Sequence, residues 1–225
     1  MIALIGAAIA PGIALLSYFY LRDTLEPEPI SMVIREFIFG VLLAFPIMVI
    51  QYIIQTEWGL TNEYSHAIIN SAMIEEFFKW LVVFLTAYKH VEFDEPYDGI
   101  VYSVAISLGF ATLENFFYLI LNGEETALWR ALLPVSSHAL FGVWMGYYFG
   151  LGKFTDKPNR KQWKLVAAFV IPFVFHCLYN LTFTVMKDEW WLVIVPFMIF
   201  LWYHGLKKVQ LAHDYGSKKA DTRPH

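Results

Sequence analysis

The chain has 225 residues, 58% hydrophobic and 16% charged, with a mean hydropathy of +0.50. These values depart from soluble-domain averages in one direction and mark a membrane protein. A formal net charge of -4 without any basic cluster interleaved with aromatics argues against nucleic-acid binding, and a single cysteine, Cys177, excludes an intrachain disulfide and a multi-cysteine metal site.

A spanning helix needs about 20 mostly apolar residues. Seven segments approach that length: residues 2–21, 34–55, 66–88, 99–121, 129–150, 165–186 and 190–206. The first lacks a basic n-region, so it reads as a retained helix and not a cleaved signal. Stretches such as "RDTLEPEP", "QTEWGLTNE", "HVEFDEPYDG", "NGEE" and "KFTDKPNRKQWK" suit turns at the water interface. Placing the amino terminus outside leaves only Arg130 and Lys187 on the outer side and Lys79 within a span. All other Lys and Arg then face the cytoplasm, as the positive-inside rule prefers. The expectation is an all-α polytopic helix bundle with seven spans, amino terminus outside and carboxyl terminus cytoplasmic. Residues 1–206 form one membrane domain, and residues 207–225 form a mobile, basic cytoplasmic tail.

In the third segment, "NSAMIEEFFKWLVVFL" carries Glu75, Glu76 and Lys79. At about 100° per residue, Lys79 lies between the two glutamates, so one ammonium can approach either carboxylate. Each such residue costs about 2.5–3.5 kcal/mol near the bilayer centre unless it pairs and faces protein or water. A structural salt bridge needs one carboxylate. Two beside one lysine form a coupled unit suited to general acid and base work.

The fourth segment carries Glu114 in "LGFATLENFFYLI", with Ala111, Ser107 and Ser103 behind it, small residues that let a neighbouring helix approach. In the fifth, His138 is followed at four-residue intervals by Gly142, Gly146 and Gly150, a second stripe of that kind. The sixth places His176 and Asn180 one turn apart, with Pro172 a turn earlier. A histidine and an amide on one face can orient a carbonyl or stabilise an oxyanion; they can equally be an interhelical hydrogen-bonding pair. In the expected topology Glu75, Glu76, Glu114, His138, His176 and Asn180 all lie between midplane and outer leaflet. No G-x-S-x-G, H-E-x-x-H or catalytic-cysteine setting is present, which leaves water activated by a carboxylate, with or without a metal.

"EEFFK" at Glu75 to Lys79, "FATLEN" at Phe110 to Asn115, "SHALFG" at Ser137 to Gly142 and "HCLYN" at His176 to Asn180 together resemble the successive motifs of the PrsW intramembrane proteases. The amino-terminal "AAIAPGIALLSYFYLRD" is similar to the start of family members from Bacillus-type bacteria, and the resemblance covers essentially the whole chain. It implies a multi-pass protease of the bacterial plasma membrane. Its substrate would be a single-pass membrane anti-sigma factor, cut on the extracytoplasmic side so that later proteolysis releases the sigma factor under envelope stress.

More distantly, the chain resembles the CAAX-prenyl endopeptidase and bacteriocin-immunity membrane proteins, with motifs E-E-x-x-x-R, F-x-x-x-H and H-x-x-x-N. It departs from them in having Lys79 four residues after Glu75 and Glu114 in place of a histidine. Carried onto matching positions, Glu75 is the general base on water and Glu76 tunes it. His176 and Asn180 polarise the scissile carbonyl, Glu114 positions water or shuttles a proton, and His138 completes the set. This reading needs no cofactor. A zinc-dependent version would draw on His138, His176 and Glu75 as ligands. From other classes, a proton- or cation-coupled transporter and a non-catalytic scaffold also accommodate intramembrane charges, although no inverted repeat is visible.

Overall fold

The computed structural model describes residues 2–23, 26–59, 62–123 and 127–221. The turns expected at "RDTLEPEP", "QTEWGLTNE" and "NGEE" and the end of the tail lie partly outside the described residues. Seven helical stretches are present among the described residues, in the places of the seven expected segments: α1 (Ile2–Tyr20), α2 (Ile30–Glu57), α3 (63–86), α4 (Asp98–Asn122), α5 (127–153), α6 (Pro158–Met186) and α7 (Trp191–Asp221). Five of them, α1, α2, α4, α6 and α7, are long and apolar enough to cross a membrane. The other two are interrupted. In α3 a π-helical stretch, His66–Met73, precedes the regular helix Ile74–Thr86, and in α5 a π turn, Ala131–Val135, precedes Ser136–Lys153.

α4 is the central helix: every residue from Asp98 to Thr112 is buried. Its small residues explain how. A Cβ on Gly142 would lie 2.9 Å from Ser107 Oγ and 3.0 Å from the Ser103 carbonyl oxygen, and a Cβ on Gly146 would run into the Gly99 carbonyl. On the other side of α4, a Cβ on Gly109 would meet the Phe37 carbonyl and one on Gly40 the Ile106 carbonyl, so α2 and α5 both approach α4 at backbone distance. The two small-residue stripes therefore meet one another. Gly146→Ala is expected to destabilise the protein by about 3 kcal/mol, because the methyl meets backbone that no rotamer change can move. Thermal unfolding in detergent reads this directly.

Outward faces of α2 and α6 show Ile34, Leu42, Val49, Val166, Val170 and Leu178 to the surroundings. Apolar faces of this kind on long helices are lipid contacts. The protein is a multi-pass, all-α membrane bundle. The tail departs from expectation, since α7 continues through the basic stretch to Asp221 instead of ending near Leu206. Val209 and Ala212 are buried, the His213 ring stacks on Tyr97 at 4.0 Å, and the Tyr215 hydroxyl donates to the Phe154 carbonyl at 3.2 Å. Hydropathy sees the end of the apolar run, but these contacts carry the helix past it.

At that same end of the bundle, Glu28 is buried in the α1–α2 connection and accepts a hydrogen bond from the Tyr102 hydroxyl. Burial, then the neighbouring carboxyls of Asp98, Asp23 and Asp94, push its carboxyl from 4.5 up to about 11. The folded chain thus keeps a proton that the unfolded chain releases above about pH 4.5, so this contribution is full below that pH and declines as pH rises toward 11. Glu28→Gln, a neutral isostere, should unfold at a higher temperature than wild type at about pH 9 and at nearly the same temperature at about pH 5. Each kcal/mol gained moves the midpoint by roughly 2–4 °C.

Candidate active site

Four helices, α3 to α6, build the site, and two of them enter it in π-helical form. In α5, Pro134 lacks an N–H and its ring crowds the carbonyl four residues back, which accounts for the widened turn. In α3 the π stretch "HAIINSAM" holds neither proline nor glycine, and nothing in its sequence explains the geometry. Each π turn ends two or three residues before a functional side chain, Glu75 in one case and His138 in the other, and so sets where that side chain points.

The charged groups form one connected chain. Lys79 is fully buried, with its Nζ 2.9 Å from Glu76 Oε1, 3.6 Å from Glu75 Oε2 and 3.0 Å from His138 Nδ1. It also lies 4.2 Å above the Phe110 ring, so the cation faces an aromatic surface as well as its carboxylates. His176 Nδ1 reaches the same Glu76 oxygen at 3.0 Å. His138 Nε2 stands 3.2 Å from Glu114 Oε2, and the two imidazoles are 5.1 Å apart. Glu75 Oε1 accepts from Ser71 Oγ at 3.0 Å and from Gln51 Nε2 at 3.2 Å, while its Oε2 carries no hydrogen bond among the described residues.

Glu75, Glu114, His138, His176 and Asn180 line a single cavity of about 480 Å³. Glu76 and Lys79 stand behind that wall, buried completely. Much of the remaining lining is aromatic and apolar, with Tyr118, Trp129, Leu133, Tyr179, Phe183 and Trp190. Asn180 Nδ2 donates to Ser71 Oγ at 3.0 Å and to the Ala67 carbonyl at 3.4 Å, so the amide also ties α6 to the π stretch of α3.

All seven residues singled out from sequence converge here. Sequence reasoning missed others. Ser71, one turn before Glu75, could have been found by spacing. Gln51, near the end of α2, left no signal. Arg130 counted only as a loop charge, yet it reaches Glu114 at 3.4 Å and Asn115 at 3.2 Å. Its distance of eight residues from His138, about two turns, was the available clue.

The sequence profile described as "PrsW family intramembrane metalloprotease" matches residues 28–204. The chain belongs to the PrsW family of intramembrane proteases. The Protease PrsW of Geobacillus kaustophilus is 53% identical, with 98% of this chain and 96% of that protein covered. That of Bacillus subtilis is 48% identical over 94% and 96%, and that of Clostridioides difficile 29% over 91% and 90%. No solved structure matches the chain.

The description of the PrsW family names a metal, and the donors of this site can be tested for one. Glu75, Glu76, His138 and His176 each offer a ligand atom, all within 4.8 Å of one another. Glu75 Oε2 and Glu76 Oε2 are buried without a hydrogen bond among the described residues. Two imidazoles and two carboxylates so arranged fit a borderline transition metal such as zinc. Lys79 Nζ already touches Glu76 and His138 and competes for the same donors.

Proposed function

We propose that this chain cuts a single-pass membrane anti-sigma factor on its extracytoplasmic side, the first step in releasing a sigma factor under envelope stress. In this reading seven spans cross the bacterial plasma membrane with the amino terminus outside. The observation that carries hydrolysis is the place of the Glu75 carboxylate on the cavity lining. One carboxylate oxygen is pinned by Ser71 and Gln51, and the other is buried without a hydrogen bond among the described residues, 3.6 Å from Lys79 Nζ, on a residue that borders the cavity. That is the arrangement a general base on water needs.

The bound water gives a proton to Glu75 as its oxygen attacks the carbonyl carbon, and the electron pair of the C=O bond moves onto oxygen. His176 Nε2 borders the position of that oxyanion, and the Asn180 amide, whose two hydrogens go to Ser71 Oγ and the Ala67 carbonyl, joins it by giving up the longer bond, 3.4 Å to Ala67. Because His176 Nδ1–H donates to the Glu76 carboxylate, Nε2 is the ring atom left to the substrate, and it donates to the oxyanion only as the imidazolium. Collapse of the tetrahedral species breaks the C–N bond, and Glu75 returns its proton to the leaving nitrogen. Lys79 stays beside both glutamates and balances their charge throughout. A divalent metal held by His138, His176 and Glu75 or Glu76 would add Lewis acidity toward water or the carbonyl.

Support for an extracytoplasmic cut comes from level: the cavity lies at the bundle end where α2 finishes and α3 begins, which the positive-inside orientation places toward the outside. Its aromatic lining suits the apolar side chains of a spanning helix. Metal analysis of active, detergent-purified protein tests the chemistry. Cleavage that persists at full rate in metal-free protein supports the glutamate-based mechanism. Stoichiometric zinc, with cleavage lost on its removal and restored on its return, would overturn it in favour of metal-assisted hydrolysis.

A further inference from the structure

We propose that Arg130 is a positioning residue of this site, clamping Glu114 so that Glu114 fixes the tautomer of His138 and, through it, the place of Lys79. The proposal rests on the hydrolytic reading above. Arg130 sits near the amino-terminal end of α5, where a cation opposes the helix dipole, yet its side chain is only 13% exposed. Something must hold it there. Three neighbours on α4 do: Nη2 donates to Glu114 Oε1 at 3.4 Å, Nε donates to Asn115 Oδ1 at 3.2 Å, and the guanidinium lies 4.2 Å above the Tyr118 ring. Asn115 is itself fully buried and fixed, since its Nδ2 donates to the Ala8 carbonyl at 3.1 Å. The arginine is therefore docked on a rigid bracket and not merely near an acid.

Glu114 is the one acid of the cluster whose side chain is substantially open, 41% exposed, and its two oxygens are held by Arg130 and His138 alone among the described residues. Donor and acceptor bookkeeping shows what this does. A lysine ammonium has only hydrogens to offer, so His138 Nδ1, 3.0 Å from Lys79, must accept, and the ring proton belongs on Nε2. A proton on Nε2 needs an acceptor, and Glu114 Oε2 at 3.2 Å is that acceptor. Without Arg130, Glu114 is free to swing into the cavity and Nε2–H loses its partner. The other tautomer then becomes available, and it turns a hydrogen toward Lys79 where an acceptor stood. Lys79 is driven toward Glu75 Oε2, now 3.6 Å away, and pairs closely with the carboxylate assigned as base, which lowers its basicity. Arg130 touches neither water nor the scissile bond in this account; it acts through Glu114 and His138.

A purely structural role, pinning the start of α5 to α4, would also make Arg130 important, so the test needs readouts that such a role leaves unmoved. Full-length Arg130→Gln, Arg130→Lys, Glu114→Gln and the Arg130→Gln/Glu114→Gln double variant are compared with wild type in detergent, using a single-span substrate. Arg130→Gln should lower kcat by about 10- to 100-fold with KM changed less than about twofold. Arg130→Lys should recover part of the loss. The double variant should be no worse than Glu114→Gln, because both changes break one chain. Independently of cleavage, NMR of isotope-labelled histidine should show His138 as the Nε2–H tautomer in wild type and mixed in Arg130→Gln. An unchanged tautomer, or losses in the two variants that multiply, would overturn the proposal and leave Arg130 an anchor. If the tautomer shifts as expected while wild type cleaves nothing, the hydrolytic reading has failed and the positioning chain stands, so the two failures are distinguishable.

Discussion

Glu75→Gln should lower the single-turnover rate of substrate cleavage by about a thousandfold or more while the protein still folds. Glutamine keeps the volume of the side chain, and its carbonyl oxygen can still accept from Ser71 and Gln51 as Glu75 Oε1 does. What it loses is the basicity of the carboxylate. Residue 75 is only 7% exposed, so an amide there gains no compensating hydration, but it also removes one of two carboxylates from a buried site that holds one lysine. Stability should therefore be little changed or slightly raised. Rapid-quench assays on purified protein, with thermal unfolding in parallel, separate the two effects. A variant that unfolds at the wild-type temperature and cleaves at the wild-type rate would remove Glu75 from the mechanism.

The largest effect on stability belongs to Glu76. Its Oε1 is shared by Lys79 Nζ at 2.9 Å and His176 Nδ1 at 3.0 Å, and the residue is fully buried. Glu76→Ala leaves a completely buried ammonium with one fewer carboxylate and takes from His176 its acceptor. Removing one partner of such a pair costs about 3–5 kcal/mol. The second expectation is sharper than the first. Adding Lys79→Met to Glu76→Ala should return much of the lost stability, since the orphaned cation disappears, while activity stays absent. A double variant less stable than Glu76→Ala alone would mean that Lys79 is held by its other contacts, His138 and Phe110, and that the Glu76 pair is not what fixes it.

How much of this could be read before any coordinates? The trio Glu75, Glu76 and Lys79 follows from helical spacing inside an apolar run, and the structure places the lysine between both carboxylates as that spacing requires. The contact of α4 with α5 was also legible, because four-residue runs of Gly, Ser and Ala have no purpose on a lipid face but permit backbone contact between helices. Membership of the PrsW family was visible in four ordered motifs. Three features were hidden. The π stretch of α3 breaks no propensity rule and leaves no mark in "HAIINSAM". Arg130 was counted for orientation, since hydropathy treats a charge at the end of a span as loop, whereas burial against Asn115 and Tyr118 makes it part of the site. The continuation of α7 to Asp221 depends on contacts with residues such as Tyr97 and Phe154, which periodicity within the tail cannot reveal.

The assignments of the individual groups depend on one claim, that the cavity bordered by Glu75, Glu114, His138, His176 and Asn180 hydrolyses a peptide bond in the outer half of a spanning helix. Mass spectrometry of products made by the purified protein from a single-span substrate, in detergent with no other protease present, tests it most directly. The account predicts two fragments whose masses differ from the intact chain by one added water and place the broken bond between the membrane midplane and the outer surface. An intact substrate after incubation with folded wild-type protein, or a cut on the cytoplasmic side near the end where α4 begins at Asp98, would contradict it.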